Sequence, residues 1–257
     1  MNFNVVLAGY GEVGMALAFI LNRPELSKSI QVQVQDPEKG HIVESAETDV
    51  LLVCFPYSSG FITLVKDYQF RYKPKATIVF SSVPVGTCSS LPDTVHSPVE
   101  GRHDRMAEYL RRHPRWVGGK NTLAIEFLSQ IFYCVYPVDK PEFTEALKLF
   151  STTIYGINIE WARYCGLFAE ELGMDKKLLK KYTDDYNKLN AEMGAPEYRR
   201  YNLTPPDKNE VIGGHCVLPN AEILLEQGYH PFIETLVDIN KTIELGGFPD
   251  EPQDEKA

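Results

Sequence analysis

The sequence lacks any apolar run long enough to span a bilayer, which takes about 20 residues. The nearest candidate, residues 5–21, is broken by Gly9-Tyr10-Gly11-Glu12 and has neither a basic leader nor a small-residue cleavage site, so it reads neither as a membrane span nor as a signal peptide. Cysteine is sparse: Cys54, Cys88, Cys134, Cys165 and Cys216 are scattered, odd in number and without a C-x-x-C pair. That excludes a disulfide framework or a zinc knuckle and suits a reducing cytoplasm. A zinc site drawn from His96, His103, His215 and Cys216 has no short ligand spacing behind it, so no metal is expected. Positive charge is also in deficit, with 26 Lys and Arg against 35 Asp and Glu and a net charge of −9, which argues against a nucleic-acid partner. A local cluster of Arg102, Arg105, Arg111, Arg112 and Arg115 could still meet an anionic ligand. What is present, 257 residues of which 44% are hydrophobic and 24% charged, suffices for one large domain or two smaller ones.

Asn4-Val5-Val6-Leu7-Ala8 runs into Gly9-Tyr10-Gly11-Glu12-Val13-Gly14 and then into the helix-forming Met15-Ala16-Leu17-Ala18-Phe19-Ile20-Leu21. Strand, glycine turn and helix in that order are the pattern expected of a dinucleotide site. Gly9 permits the turn, Gly11 lets a pyrophosphate approach the backbone N–H groups, and Gly14 lets helix and strand pack closely. Residues 30–35 alternate apolar and polar and lead to Asp36, 22 residues after Gly14. An acid there accepts hydrogen bonds from a ribose diol and repels a 2′-phosphate, favouring NAD over NADP, although Asp36-Pro37 is also an ordinary turn.

Residues 49–54 predict a fully buried parallel strand ending at Phe55-Pro56, residues 60–72 a helix, and residues 76–80 a fourth strand. The loop Ser81-Ser82-Val83-Pro84-Val85-Gly86-Thr87 then offers hydroxyls and backbone donors where a doubly wound sheet binds its ligand. In the segment that follows, His96, Ser97, Glu100, Arg102 and His103 gather two imidazoles, a carboxylate and a guanidinium. A helix is expected over 105–112, a short strand and turn over 115–119, and a last strand over 129–136.

After Pro141 there is no proline up to 172 and apolar residues recur at helical spacing, predicting one helix of about 48 Å, long enough to join two lobes or to form a dimer surface. Further helices are expected over 176–192, 220–227 and 231–243. Between them lies Gly213-Gly214-His215-Cys216, a turn that delivers a base and a thiol, or simply a turn with an inert cysteine. Residues 246–257 have the composition of a disordered acidic tail. The expected architecture is an α/β chain. A Rossmann-type, doubly wound, mostly parallel sheet (1–138) precedes an all-helical domain with a long central helix (139–245) and the tail (246–257).

The order of these motifs resembles the NAD-dependent nucleotide-sugar 6-dehydrogenases, the UDP-glucose and GDP-mannose dehydrogenase group. Gly9-Tyr10-Gly11-Glu12-Val13-Gly14 is similar to its dinucleotide fingerprint and Val53-Cys54-Phe55-Pro56 to its third strand end. Ser81-Ser82-Val83-Pro84-Val85-Gly86-Thr87 is similar to its Ser-Thr-Val-Pro-x-Gly-Thr loop, and His96-Ser97-Pro98-Val99-Glu100-Gly101 to its Ser-Pro-Glu segment. Val117-Gly118-Gly119 resembles its short strand and turn, and Gly213-Gly214-His215-Cys216-Val217-Leu218-Pro219 its cysteine loop. The resemblance covers residues 3–243. It implies that Cys216 attacks an aldehyde intermediate, giving a thiohemiacetal that yields a second hydride and is hydrolysed to the acid, with His215 favouring the thiolate. It also implies a homodimer. Matching Leu172-Gly173-Met174-Asp175 to the family's Leu-Gly-x-Asp sets Asn158 in place of the family's lysine and Thr152 in place of its asparagine. The family's third domain, which closes on the substrate's nucleotide, has no counterpart here, so a short, divergent member is expected.

The expected function is therefore an NAD-dependent oxidoreductase acting on a small or truncated hydroxyl or aldehyde substrate, with an anionic one suited to the arginines. Cys216, His215, Asn158 and Glu100 form the catalytic set, and His96, Ser97, Arg102, Thr152 and Gly214 are set around the substrate. The cofactor would lie against residues 9–14, Asp36, Phe55, Pro56, Ser81, Ser82 and Val83. Two other readings fit the same motifs: a Rossmann enzyme using an adenosine cofactor such as S-adenosylmethionine, or a non-catalytic nucleotide-binding protein.

Overall fold

The computed structural model describes residues 2–44, 47–212, 216–228 and 230–247. The chain divides into two compact units, Met1–Leu149 and Phe150–Ala257. In the first, β1 (Phe3–Ala8) leads through the glycine turn into α1 (Glu12–Leu21), then β2 (Ile30–Gln35), β3 (Val50–Val53), α2 (Phe61–Tyr72) and β4 (Ala76–Val79). After these come β5 (Thr94–His96), α3 (Met106–Arg112), β6 (Arg115–Gly118), α4 (Thr122–Ile131) and β7 (Val135–Val138). The seven strands form one sheet in the order β2-β1-β3-β4-β5-β6-β7, parallel throughout except where β5 meets β6.

Alternation along the strands explains why both faces are covered. Phe3, Val5 and Leu7 of β1, Val50 and Leu52 of β3, and Ile78 of β4 join one apolar cluster with α1 and α4. Their neighbours Val6, Ala8, Leu51, Val53 and Val79 join a second cluster with α2. A strand buried on both faces has no polar alternation, which is why β3 is a continuous apolar run and β4 carries only Thr77, hydrogen-bonded to Gln69 (2.9 Å), among apolar residues. Because β2 pairs on one side of β1 and β3 on the other, the strand order reverses at β1, and the crevice at its carboxyl end is where such sheets bind ligands.

The strand expected over 129–136 is corrected. Residues 129–131 finish α4, whose Asn121 cap accepts a hydrogen bond from the Ala124 N–H (3.1 Å), and the strand begins only at Val135. Ala124, Phe127, Leu128 and Ile131 recur at helical spacing and are buried, so the apolar run over 131–135 is the end of one element and the start of another.

The long helix α5 (Pro141–Glu171) has close to its expected extent and is followed by α6 (Lys176–Glu192), α7 (Val217–Gln227) and α8 (Pro231–Glu244). In the second unit Ile212, Val217, Ala221, Leu236 and Val237 form a core. Gly156 lets α5 approach it: a Cβ there would lie 2.6 Å from Val217 Cγ1. No helix among the described residues is long and apolar enough to cross a membrane. The expected acidic tail lies, from residue 248 on, outside the described residues.

The closest backbone approach in the sheet unit is at Gly14, where a Cβ would lie 2.0 Å from the Gly9 carbonyl oxygen. Gly14→Ala is therefore expected to destabilise the protein by about 1–3 kcal/mol, the usual range for overpacking. Gly11→Ala, facing open space, should stay within about 0.5 kcal/mol of the parent. Urea unfolding of the two variants checks this, and equal losses would contradict it.

Candidate active site

The glycine turn sits at the carboxyl end of β1. Gly9 has φ +92°, and a Cβ on it would meet the Phe55 nitrogen at 2.7 Å, just past the end of β3. Gly9 and Gly14 are thus required by the protein's own packing. Gly11 is not: a Cβ there would meet nothing within 4 Å, and this exposed residue caps α1 without a side-chain acceptor. The first-turn N–H groups of α1, those of Glu12, Val13 and Gly14, have no partner within the helix and carry the positive end of its dipole. At the end of β2, the half-buried Asp36 accepts from the Tyr10 N–H (2.7 Å) and the Lys39 N–H (3.2 Å), which ties the acid to the turn. The Lys39 ammonium donates to the Tyr10 carbonyl (2.6 Å).

Phe55, half-buried, packs its ring on Phe61 (centroids 5.0 Å apart), while Pro56 is exposed. The Phe55 carbonyl accepts from the Ser81 hydroxyl (2.6 Å), linking the ends of β3 and β4. Ser81 and Ser82 are half-buried and Val83 fully buried.

Beneath this loop two of the expected residues are buried. His96 is 0% exposed: its Nε2 donates to the Ser81 carbonyl (3.1 Å), so its Nδ1 accepts from the Thr144 hydroxyl (2.9 Å). Burial, helped by the nearby Lys148 charge, lowers its pKa from the ordinary 6.5 to about 4. Ser97 is likewise buried, with a hydroxyl that has no hydrogen-bond partner among the described residues. Both were expected against the substrate; both are buried because β5 is an interior strand of the sheet, and the bonds of His96 tie the strand ends together.

Glu100 is partly exposed, and its carboxylate lies 3.5 Å from the ammonium of Lys148, which also donates to the Val99 carbonyl (2.7 Å). Lys148 was not anticipated. Its cue was local: a lysine three residues after Glu145 on α5, set among Ala146, Leu147 and Leu149. Thr144 and Glu145, both fully buried, were missed as well. Arg102 is exposed and held by a two-pronged ion pair to Asp104 (3.0 and 2.9 Å), so its charge is already matched. Glu12, at the start of α1, pairs with His103.

The remaining expected residues belong to the second unit. Asn158 donates its amide to the Ile154 carbonyl of its own helix (2.7 Å), a local bond. Thr152 is half-buried on α5. Cys216, a free thiol of intermediate exposure, caps α7 at the positive end of that helix's dipole. The chain leading to it is anchored: the Ile212 N–H donates to Asn240 Oδ1 (2.9 Å), and buried Arg163, paired with Glu160 (3.0 Å), donates to the carbonyls of Asp207, Lys208 and Glu210. Gly213, Gly214 and His215 lie outside the described residues.

No protein-family model matches the sequence, and no curated protein matches it. Solved structures do match in fold. They include a UDP-D-ManNAc dehydrogenase from Pyrococcus horikoshii (TM-score 0.68, 15% identity, 94% of this chain and 69% of that one). A 3-hydroxyisobutyrate dehydrogenase from Mycobacterium tuberculosis, with L-serine, is similar over nearly its whole length (0.68, 14%, 96% and 95%). A UDP-glucose dehydrogenase from Pyrobaculum islandicum also matches (0.66, 15%, 94% and 68%). At these identities the likeness is one of fold: a Rossmann-like sheet unit with a helical C-terminal region.

The low pKa of His96 has a signed consequence. Between pH 6.5 and about 4 the unfolded chain takes up a proton that folded His96 refuses, so this group's contribution is complete above pH 6.5 and is lost as pH falls towards 4. The loss amounts to roughly 3 kcal/mol. Glu145, whose pKa burial raises, acts in the opposite sense, its contribution falling as pH rises through its folded value. The stability difference between the parent and His96→Gln isolates the histidine. It should shrink from pH 7 to pH 4.5 in urea titrations, and a constant difference would overturn the assignment.

Proposed function

We propose that the protein is a nicotinamide-dinucleotide-dependent dehydrogenase of the nucleotide-sugar and hydroxyacid dehydrogenase type, with NAD as its cofactor. The observation that carries this reading is the glycine turn, in which Gly9 and Gly14 are explained by packing and Gly11 only by room for a ligand. A diphosphate would sit on the first-turn N–H groups of α1 and the adenosine ribose near Asp36, whose carboxylate disfavours a 2′-phosphate. From β2 to β4 is three strand spacings, about 14 Å, so a dinucleotide with its adenosine at β2 reaches the loop after β4 with its other half. The dehydrogenases of similar fold, two acting on UDP-sugars and one named for 3-hydroxyisobutyrate, support the same class.

When bound, the nicotinamide would supply hydride acceptance, first at the substrate's alcohol carbon and then at the thiohemiacetal carbon formed with Cys216. The chain's own contribution is proton handling and positioning. Lys148 and Glu100, in ionic contact, form a pair able to accept the hydroxyl proton and pass it to water. His96, held neutral, keeps the β4 and β5 ends fixed. Cys216 would serve as the nucleophile for a second oxidation, as the resemblance in sequence implies, with His215 and Gly214 beside it and Thr152 towards the substrate. The substrate class is a small or truncated hydroxy compound, and a cytoplasmic setting suits the free thiols.

A homodimer is part of the proposal. In the second unit α5 exposes Ile154, Trp161, Tyr164 and Phe168 at spacings of seven, three and four residues, with the three aromatic rings stacked in series. A second copy would cover this stripe. Sedimentation should give twice the chain mass for the parent and the chain mass for a Trp161→Glu, Phe168→Glu variant; a monomeric parent would reject it.

Thermal denaturation tests the cofactor. NAD at 100 times its dissociation constant should add about 2.7 kcal/mol to stability, NADP less, and Gly11→Val should abolish the effect. A shift with S-adenosylmethionine alone, or with no dinucleotide, would overturn the assignment. With a substrate in hand, Cys216→Ser is expected to retain alcohol oxidation and lose acid formation.

A further inference from the structure

Glu145 is a carboxylate buried where burial is costly, at 0% exposure in the first turns of α5. It is satisfied by one loop: Oε2 accepts from the Gly86 N–H (2.6 Å), Oε1 from the Cys88 N–H (2.8 Å), and the Cys88 thiol also bonds to it. The other group that bears on its charge is the neighbouring Glu142 carboxylate, itself bonded to the Ser89 hydroxyl (2.7 Å). The loop does not need this tie merely to turn. Thr87 already closes it, its N–H and hydroxyl both donating to the Pro84 carbonyl (3.1 and 2.7 Å). What the carboxylate adds is a fixed height for the loop relative to α5. Gly86, at φ +95° with open space over its Cα, lies where the loop's backbone faces outward. The adjacent Thr144 fixes His96 and, through it, the Ser81 carbonyl, so two consecutive residues of α5 hold both ends of the loop.

The geometry points to Glu145 as a positioning residue that, through the Gly86 and Cys88 amides, sets residues 82–85 as the surface under the nicotinamide half of the dinucleotide. This rests on the cofactor reading above. The adenosine half, placed by Gly11 and Asp36 at the far side of the switch point, does not depend on it.

The test compares the affinities of ADP-ribose and NADH for the full chain, by calorimetry, in the parent, Glu145→Gln and Glu145→Asp. In Glu145→Gln an amide NH2 faces one of the two loop N–H groups, so one bond is lost and a repulsion gained. NADH binding should weaken about tenfold, which equals about 1.4 kcal/mol, while ADP-ribose stays within about twofold. Glu145→Asp keeps both acceptor oxygens one methylene further back and should lie between the parent and the glutamine variant; it decides by the same two titrations if Glu145→Gln does not fold. Equal weakening of both ligands, or no change in either, would overturn the positioning role. A parent protein that binds neither ligand would instead overturn the cofactor reading beneath it.

Discussion

The site as proposed depends on one close contact, the Gly9 carbonyl lying against the Cα of Gly14. That contact sets how near α1 stands to the end of β1, and hence where its unpaired N–H groups point. Phe55 reinforces it from the other side, its backbone nitrogen lying where a Gly9 side chain would be, so β3 and the turn are locked together at the reversal of strand order. Asp36 completes the frame by accepting from Tyr10 within the turn. Three strand ends and a helix start are thereby fixed. The only glycine of the three that this packing leaves unexplained is Gly11.

A second constraint acts from below. His96, Thr144 and Glu145 are polar groups in an apolar interior, and such groups persist there only when hydrogen-bonded. Their partners are strand-end and loop backbone, the Ser81 carbonyl and the amides of Gly86 and Cys88. The loop is therefore stiffened by directional bonds while apolar contacts through Val83 and Cys88 seat it on the second core cluster. Lys148, one turn further along α5, brings a cation to Glu100 from the same helix. The start of α5 thus acts as a polar seam against the sheet, whereas in the second unit the same helix supplies Ile157 and Ile159 to an apolar cluster and Arg163 to the chain entering the cysteine loop.

Much of the fold was legible because it is written in short-range pattern. Residues 50–53 are buried on both faces and so read as an apolar run, residues 76–79 nearly so, and the helical spacing over 142–171 is unbroken by proline. The glycine turn was legible because Gly9 and Gly14 answer steric demands only five residues apart. The error at 129–136 came from the same source: Ile131, Phe132 and Val135 are apolar in either conformation, and the Asn121 cap that starts the helix lies ten residues upstream of that run. Short apolar stretches carry no period long enough to choose between helix and strand.

The sequence by itself determined the sheet unit's beginning, the sign of the charge at Asp36, the long helix and the expectation of a dinucleotide, since each follows from neighbours in the chain. Only the tertiary structure decided which polar residues work together. Glu145 meets its loop across 57 and 59 positions, and His96 meets Thr144 across 48. Tertiary structure likewise buried His96 and Ser97 and brought Lys148 to Glu100. The physical reason is that hydrogen bonds and ion pairs act over a few ångströms of space regardless of separation in sequence. Their partners exist only once α5 has packed against the carboxyl ends of β4 and β5.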